Sequence, residues 1–365
     1  MPTPQQQAII DNTIERKDIF VIARAGCTKT STLVMTAWAM HNKYPELKGI
    51  ALAFNVIIKD ELAAQLPPNV EALTMNALGH RALGKMINKK LFLEKLKIRK
   101  LLDDYLTKNN LTLSYDEKGL VIDLVNTLRN MGAVPTGTLS AYPVFQGDFD
   151  EALQIAFDYL QEPYNPDNAK IATELLSASI MAAFAGTIDF TDQLYMATVF
   201  RAPFPRPQFL LVDEAQDLSP LNHEMVRMCR ADQYIIVGDP FQAIYGFRDA
   251  VTDSMNVLAR NLKRDFVPLY LTKTFRCGRA IVARAQARVT DFEAAEQNSD
   301  GEVLDLHNQL WNLSLLPAGS AILCRNNAPL LCMAMTLLRN KIPCTILGRD
   351  IAKGLTKDIR SACKT

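Results

Sequence analysis

The chain has 365 residues, of which 48% are hydrophobic and 22% are charged, and its formal net charge is +1. This composition is ordinary for a folded protein of two or three domains, and the near-zero charge excludes a global basic field for nucleic acid. The seven cysteines include no C-x-x-C pair, which argues against a zinc site, and their odd number and irregular spacing argue against a disulfide framework.

Short apolar runs predict the strands of a parallel sheet. The first run, residues 19–24 (IFVIAR), precedes a loop and a helical stretch from Lys29 to about His41, which is the start of a βαβ unit. Further runs of this kind lie at residues 49–54, 208–214, 233–239 and 266–271. Their length is that of buried parallel strands, and such strands carry active residues at their C-terminal ends.

Two other regions have different patterns. Residues 85–185 show helical spacing and mixed charge, and they predict a helical insertion between strands of the first sheet. Their basic segment, residues 85–100, is interpreted as a solvated helix face, with a contact to a nucleic-acid backbone as the alternative. After residue 271 the strand–helix pattern restarts, which predicts a second α/β domain. Its predicted strands are residues 302–306, 321–325 and 343–348, and its predicted helix is residues 328–340.

Residues 23–30 (ARAGCTKT) approach the phosphate-loop pattern G-x-x-x-x-G-K-[ST]. Lys29 would place its charge on the β- and γ-phosphates of ATP, and Thr30 would offer its hydroxyl to Mg²⁺. Ala23 and Thr28 replace the two glycines, and a β-branched residue adopts positive φ poorly, so we expect a reshaped loop or weakened ATP turnover. The alternative is a strand, turn and helix with a chance lysine. The candidate phosphate-binding residues are Ala25, Gly26, Cys27, Thr28, Lys29, Thr30 and Ser31.

The segment LLVDEAQD (210–217) ends a hydrophobic strand with two adjacent carboxylates. Asp213 suits Mg²⁺ coordination, and Glu214 suits a general base that activates a water molecule. With the phosphate loop, these residues predict the two halves of one Mg–ATP site. The alternative is an acidic loop after a strand.

The segment VGDPFQAIYGFRDA (237–250) follows the next predicted strand. Gln242 can sense the γ-phosphate by hydrogen bonding. Tyr245 and Phe247, with Arg248 beside them, are candidates for stacking on the bases of a single strand. The alternative is that one of these aromatic side chains simply packs in the core.

The ordered set of motifs, from residue 3 to about residue 350, resembles the UvrD/Rep/PcrA DNA helicases of superfamily 1, and within them the branch of the F-box DNA helicases. TPQQQAII (3–10) resembles the family's Q motif, whose glutamine reads adenine. Gln6 is the best alignment, and Gln5 and Gln7 remain open. LTKTFRCGRAIV (271–282) resembles the motif that opens the second motor domain. The resemblance implies that Phe275 stacks on adenine and that Arg276 reaches the γ-phosphate.

Two further segments, residues 51–62 and 72–83, resemble motifs that contact single-stranded DNA, and residues 187–194 resemble the short D-F-x-D-x-L element that leads toward the acidic motif. Asn76 stands where the family usually has histidine, and Phe247 stands where relatives often have tryptophan. The DNA-binding residues that the resemblance implies are Phe54, Asn55, Thr74, Asn76, Tyr245, Phe247 and Arg248. The implied catalytic residues are Lys29, Asp213, Glu214, Gln242 and Arg276, with Thr30 and Asp213 as metal ligands.

The resemblance implies an α/β fold with a RecA-like P-loop NTPase domain built on a parallel sheet. We expect this first domain at residues 1–84 plus 186–271, the helical insertion at 85–185, and a partial second RecA-like domain at 272–365. Two later motifs of the family, one of them with a second arginine finger, are not found before Thr365. We therefore expect the chain to be C-terminally incomplete.

The implied function is that of an ATP-dependent DNA helicase or translocase, with ATP and Mg²⁺ as cofactors, ATPase activity stimulated by single-stranded DNA and movement from 3′ to 5′. Its partner would be single-stranded DNA or a duplex with a single-stranded tail, and a partner chain is one source of the missing motor half. Alone, the chain is expected to bind ATP and to hydrolyse it slowly. The alternatives are an ATP-gated single-stranded DNA-binding module without productive hydrolysis and a small-molecule P-loop kinase. No signal peptide or membrane span is expected, and the location would be the cytoplasm of a bacterial or phage-infected cell, or the nucleus in a eukaryote.

Overall fold

The computed structural model describes residues 1–243, 253–305, 316–324 and 326–346. Two compact units divide the chain, Met1–Glu302 and Val303–Thr365. In the first unit, the helices and strands in chain order are α1 (Pro4–Ile14), β1 (Ile19–Ala23), α2 (Lys29–Lys43), β2 (Gly49–Ala53), α3 (Val56–Ala63), β3 (Val70–Thr74), α4 (Met75–Ile87), β4 (Phe92–Leu93), α5 (Lys97–Asn109), α6 (Tyr115–Met131), α7 (Phe149–Tyr159), α8 (Pro166–Phe184), β5 (Thr187–Ile188), α9 (Asp192–Val199), β6 (Phe209–Val212), α10 (Pro220–Cys229), β7 (Tyr234–Gly238), α11 (Ser254–Leu262), β8 (Val267–Leu271), β9 (Lys273–Thr274), α12 (Arg279–Ala285) and β10 (Glu293–Ala294). Two short 3₁₀ helices follow β6 and β7, at Ala215–Asp217 and Pro240–Gln242.

A six-stranded sheet forms the centre of this unit, with the strand order β3-β2-β6-β7-β1-β8. Each pair of neighbouring strands is parallel. Strands β2, β6 and β7 are buried along their whole length, so their apolar sequences are continuous instead of alternating. The C-terminal ends of β1, β6 and β7 therefore meet at one edge of the sheet, where the chain continues into the predicted phosphate loop and the two predicted acidic segments.

The predicted α/β fold and parallel sheet are confirmed. The five predicted apolar runs form β1, β2, β6, β7 and β8, and the predicted helix after β1 is α2. Strand β3 was not predicted, because its five residues VEALT contain only two buried side chains and lie at the edge of the sheet.

Residues 85–185 are mainly helical, as predicted, and they contain α5, α6, α7 and α8. The predicted solvated face of residues 85–100 is wrong for Lys97 and Ile98, which are both buried. Lys97 is buried, and its Nζ lies 2.6 Å from Oδ2 of Asp192 and 2.7 Å from the carbonyl oxygen of Ser179. Arg129 of α6 is also buried, and it joins the same cluster by binding Asp189 and Asp192. The helices of residues 85–185 and the central sheet belong to the same compact unit, so the division into units gives no boundary for the helical insertion. Its predicted boundaries therefore remain a prediction.

The second unit contains one helix in its described part, α13 (Asn327–Arg339), at the position where a helix was predicted. The three strands predicted here are wrong for the residues that the structure describes, since 302–305, 321–324 and 343–346 form no strand. A strand needs a hydrogen-bonding neighbour, and no described segment of this unit provides one. Leu304 and Leu323 are correspondingly exposed. The partial second RecA-like domain stays a prediction.

None of the helices in the described part of the chain combines the length and the apolar character that a membrane crossing requires.

Candidate nucleotide-binding site

The loop between β1 and α2 turns through two residues with positive φ. Gly26 has φ 68°, and Thr28 has φ 60° and ψ 35° immediately before α2 begins at Lys29. The left-handed region costs a residue with a Cβ atom about 1–2 kcal/mol, so Thr28 is strained where glycine would not be. Its Oγ1 donates a 2.7 Å hydrogen bond to the carbonyl oxygen of Cys27. Burial raises the pKa of Cys27 to about 12, which keeps this thiol protonated at neutral pH.

The loop and the acidic segment after β6 are in direct contact. Nζ of Lys29 lies 3.0 Å from Oε2 of Glu214, and the Thr30 hydroxyl donates to Oδ2 of Asp213 at 3.3 Å. Burial raises the pKa of Asp213 to about 6, and the neighbouring Glu214 carboxylate adds to the shift, whereas Lys29 and Thr30 oppose it. This carboxyl group is 3% exposed, and a cation bound beside it would favour its charged form and offset the effect of burial.

The donor set at this position fits Mg²⁺. Within the described residues, no cluster of three or more His, Cys, Asp or Glu side chains could hold a metal ion alone. Protein-bound Mg²⁺ commonly has one or two carboxylates, with substrate phosphates and waters completing its shell. The Thr30 hydroxyl and the Asp213 carboxylate, which face each other beside the phosphate loop, match that requirement.

Gln216 connects the two acidic segments, and sequence reasoning did not select it. Its Nε2 donates to Oε2 of Glu214 at 2.8 Å, and its Oε1 accepts the N–H of Asp239 at 2.9 Å. The close approach of the Gln216 side chain to the backbone of Asp239 requires glycine at position 238, because a Cβ atom there would lie 2.7 Å from Oε1 of Gln216. The signal was present in the sequence, since Gln216 belongs to the same D-E-A-Q-D segment as the predicted base.

Gln242 lies in the 3₁₀ helix after β7. Its Nε2 donates a short hydrogen bond to Oδ2 of Asp239. Burial raises the pKa of Asp239, and the hydrogen bond from Gln242 works against that shift. Asp239 therefore holds the Gln242 side chain at the sheet edge.

Arg24 of the phosphate loop has a structural role that the sequence did not reveal. Its guanidinium group forms two 2.8 Å hydrogen bonds to Asp291, which lies between α12 and β10. Its Nη1 lies 3.8 Å from Oδ1 of Asp239, and its Cζ lies 4.8 Å from the centre of the Phe241 ring. Arg24 thus joins the loop to the segments that follow β7 and α12.

The segment with Phe275 and Arg276 lies directly against the loop. The N–H of Phe275 donates to the carbonyl oxygen of Gly26 at 3.1 Å. A Cβ atom on Gly26 would lie 2.6 Å from Cβ of Arg276 and 2.6 Å from Oγ1 of Thr274, so only glycine fits this position without movement.

The loop, the acidic segment and the segment after β9 line a half-open cavity of about 330 Å³. Its lining residues are Gly26, Cys27, Thr28, Lys29, Thr30, Ser31, Glu214, Gln242, Phe275 and Arg276. The structure thus brings together nearly all of the predicted cofactor-binding and catalytic residues. Ala25 and Asp213 do not line the cavity, although Asp213 contacts Thr30 beside it.

Gln6 lies behind the loop and does not line the cavity. Its Nε2 donates to Oγ1 of Thr28 at 2.9 Å, and its Oε1 accepts the N–H of Thr3 at 2.9 Å, which closes a capping box at the start of α1. Gln5 binds Thr272, and Gln7 is exposed and binds Asp11. Of these three glutamines, Gln6 is the one whose described hydrogen bonds reach the phosphate loop, and its role in reading adenine stays a prediction.

The predicted DNA-contact residues that the structure describes lie at or directly after the C-terminal ends of the adjacent parallel strands β2 and β3. Phe54 and Asn55 follow β2, and the Asn55 side chain caps α3. Thr74 caps α4, and Nδ2 of Asn76 donates to the carbonyl oxygen of Phe190 and to Oε1 of Gln193 at 2.9 Å each. Tyr245, Phe247 and Arg248 lie outside the described residues.

Comparison with known proteins gives matches over most of the chain. A family model described as UvrD/REP helicase N-terminal domain matches residues 2–263. The chain is 23% identical over 375 residues to F-box DNA helicase protein 1 of Schizosaccharomyces pombe, which covers 95% of this chain and 40% of that protein. It is 28% identical over 288 residues to F-box DNA helicase 1 of Gallus gallus, with 76% and 26% covered. The chain therefore spans less than half the length of these relatives.

Proposed function

The chain belongs to the UvrD/REP helicase family, and from this membership we propose that it carries the ATP-binding and ATP-hydrolysing site of a DNA helicase or translocase. The observation that carries the proposal is the single cavity lined by Lys29, Glu214, Gln242, Phe275 and Arg276. A cavity with a phosphate loop, a carboxylate, a cation and an aromatic ring provides what binding and cleaving a nucleoside triphosphate requires.

Lys29 and the loop N–H groups would bind the phosphates of ATP at the start of α2. Lys29 is paired with Glu214, with Nζ 3.0 Å from Oε2. Negatively charged phosphates compete for the lysine, and this competition would release the carboxylate for catalysis. Thr30 and Asp213 would hold Mg²⁺, which when bound neutralises charge on the phosphates.

Glu214 would act as the general base that accepts a proton from the attacking water. The 2.8 Å hydrogen bond from Gln216 keeps its carboxylate oriented after Lys29 leaves. Gln242 and Arg276 would contact the γ-phosphate from the remaining sides of the cavity. A cation at this place stabilises the charge that develops during phosphoryl transfer.

A direct connection links this site to the proposed DNA surface. The N–H of Asp213 donates to the carbonyl oxygen of Leu52 at 3.1 Å, and Leu52 lies two residues before Phe54. We propose that Phe54, Asn55, Thr74 and Asn76 contact single-stranded DNA, or the single-stranded tail of a duplex. DNA binding would then reach Asp213 through the β2–β6 pair. Movement would run from 3′ to 5′, with a partial second motor domain starting at residue 272.

A second candidate function is an ATP-gated module that binds single-stranded DNA without productive hydrolysis. The observation that favours it is the strained Thr28 beside the catalytic lysine, with φ 60° where a glycine would be relaxed. If the chain is such a module, it binds ATP and hydrolyses it slowly. The same result is expected if a helicase of this kind needs further motor segments or a partner chain for full activity.

The test is ATPase activity with and without single-stranded DNA. The variants are Lys29→Ala, which removes the phosphate-binding charge, and Glu214→Gln, which removes the base; Glu162→Gln, an exposed position after α7, is the matched control. The proposal expects DNA to stimulate turnover in the wild type and in the control, and both site variants to lose at least about 100-fold. Tight ATP-dependent DNA binding without turnover would support the binding module. Activity that survives in Lys29→Ala and Glu214→Gln would contradict both functions.

A further inference from the structure

The proposed general base lies in a strained turn. Glu214 has φ 49° and ψ 44°, in the left-handed region that a residue with a Cβ atom adopts only at a cost. Its N–H donates to Oδ1 of Asp213 at 2.9 Å, and its carbonyl oxygen accepts the N–H of Asp217 at 3.0 Å. Both bonds lie within the turn itself. A strained backbone persists only where the surrounding structure holds it in place, so this turn needs support from another element.

Ser254, the first residue of α11, contacts this turn from outside. Its side chain is buried, and its Oγ lies 3.0 Å from the carbonyl oxygen of Ala215 and 3.1 Å from that of Leu218. Ala215 directly follows Glu214, and the two carbonyl groups lie at the two ends of the 3₁₀ helix after β6. One hydroxyl group therefore holds the short helix that begins next to the proposed base.

His223 of α10 supplies the second hydrogen that this arrangement needs. Its Nε2 lies 2.9 Å from Oγ of Ser254, and both side chains are buried. A serine hydroxyl has one hydrogen, so it can donate towards the carbonyl oxygens only if the imidazole ring donates to it. The ring therefore has its hydrogen on Nε2, and burial keeps it neutral at pH 7 by lowering the pKa of His223 to about 4.

Neither Ser254 nor His223 is among the residues that line the proposed nucleotide cavity. Ser254 reaches the acidic segment through backbone carbonyl groups, whereas Gln216 binds the Glu214 carboxylate directly. A change at Ser254 should therefore alter the orientation of the base without removing a group that would touch ATP.

We propose that Ser254, held by His223, is a positioning residue of ATP hydrolysis that keeps Glu214 in the geometry required of the general base. This inference rests on the proposed function and deepens it, because it assigns a supporting pair to the same site. A misplaced base slows the chemical step and leaves the binding of ATP intact, so the pair should affect kcat and not ATP affinity.

The experiment measures kcat with single-stranded DNA present and, by calorimetry, the dissociation constant of Mg–ATP, both on the whole chain. Ser254→Ala removes the hydroxyl group, and we expect kcat to fall at least about tenfold while ATP affinity stays within about twofold. Ser177→Ala in α8 is the matched control, because the Ser177 hydroxyl also bonds a backbone carbonyl oxygen, that of Thr173. This control should keep both values.

Two substitutions of His223 test the donor. His223→Gln offers an amide N–H in place of the ring N–H and should lose less than about threefold in kcat. His223→Leu has no donor, and its loss of kcat should match that of Ser254→Ala. Circular dichroism verifies the fold of each variant, and the His223 pair carries the test if Ser254→Ala does not fold.

A cycle of single and double variants shows whether Ser254 acts through the base. In a Glu214→Gln background no carboxylate remains to be positioned, so adding Ser254→Ala should change the single-turnover rate by less than about twofold. A residue with a merely structural role would lower the rate by the same factor in both backgrounds.

Wild-type kcat in Ser254→Ala would overturn the inference, as would equal losses in the two backgrounds or a parallel loss of ATP affinity. Each of these results leaves the proposed ATPase site standing, because the wild type still turns over. A wild type that binds DNA and Mg–ATP without any turnover contradicts the proposed hydrolysis itself, and the inference then fails with it.

Discussion

The backbone N–H of Phe275 donates a 3.1 Å hydrogen bond to the carbonyl oxygen of Gly26. Residues 249 positions apart in the sequence are thus in contact, and the two walls of the cavity meet at this bond. Side chains from the loop and from the segment after β9 therefore face one volume.

Gly26→Ala should separate these walls. The new Cβ atom would lie 2.6 Å from Cβ of Arg276, and φ is 68°, so either the loop or the Arg276 segment must move. We expect a loss of about 1–3 kcal/mol in the free energy of unfolding and at least a tenfold loss of ATP affinity. Urea unfolding and calorimetry measure the two effects.

The matched control is Gly119→Ala in α6, where the added Cβ meets no atom within 4 Å. Replacing glycine by alanine inside a helix stabilises by about 0.5–1 kcal/mol, so the control should be slightly more stable with unchanged ATP affinity. Wild-type ATP affinity in Gly26→Ala would show that the contact between the walls does not shape the site.

Asp213→Asn should stabilise the chain against unfolding while it abolishes hydrolysis. The pKa of Asp213 is about 6 in the folded chain, above its ordinary value of 3.8, so the folded state loses stability as the pH rises through 6. Removing the charge should gain about 1–3 kcal/mol at pH 8 and less at pH 5. Urea unfolding at both pH values measures the gain.

The control for this prediction is Asp104→Asn, an exposed carboxylate of α5, which should change stability by less than about 0.5 kcal/mol. If the Asp213→Asn protein is no more stable than the wild type at pH 8, the buried charge of Asp213 does not destabilise the folded state, and the prediction is wrong.

Arg129→Met should unfold the chain more easily. Arg129 is 1% exposed and binds Asp189 at 2.9 Å and Asp192 at 3.1 Å, and the methionine would leave two carboxylates with Lys97 alone. Breaking a buried charge cluster in this way costs about 3–5 kcal/mol. The exposed pair of Arg81 and Glu71 provides the comparison, because Arg81→Met should cost less than about 1 kcal/mol. Similar losses in the two variants would contradict the assignment.

His223 should make the chain sensitive to acid. Its Nε2 lies 2.9 Å from the Ser254 hydroxyl, which itself bonds the carbonyl oxygens of Ala215 and Leu218. Burial lowers the pKa of His223 from 6.5 to about 4, so the unfolded chain binds a proton that the folded chain refuses between these pH values. Stability is therefore complete above pH 6.5 and falls towards pH 4.

The loss attributable to His223 between pH 7.5 and pH 5 should be about 2 kcal/mol. His223→Gln keeps a polar group at the position without a titrating ring. Between pH 7.5 and pH 5, the stability of this variant should therefore fall by about 2 kcal/mol less than that of the wild type. Parallel pH profiles of the wild type and the variant would contradict the prediction.

The sequence predicted those parts of the fold and the site that depend on residues adjacent to one another in the sequence. The strands β1, β6 and β7 are continuous apolar runs, and the lysine and carboxylates directly after them follow from the same local pattern. Strand β3 was missed, because an edge strand with two buried side chains has a weak pattern. The strands predicted in the second unit failed because apolar runs do not show whether a partner strand is present.

The contacts that hold the site together were not predictable in the same way. Arg24 binds Asp291 across 267 positions of sequence, and neither residue lies in a pattern that names the other. Gln216 was not selected from the sequence, because a side-chain amide between two carboxylates does not by itself indicate a catalytic role. Lys97 was assigned to a basic segment by composition, although its position on α5 turns it towards Asp192.

The central claim is that the loop, the acidic segment and the Phe275 segment form one Mg–ATP site. The most direct test is a crystal structure of the chain with Mg²⁺ and a non-hydrolysable ATP analogue. We predict the phosphates on residues 26–31, the metal between Thr30 and Asp213, and the base against the Phe275 ring. An analogue bound at any other surface, with Lys29 still paired to Glu214, would contradict the account.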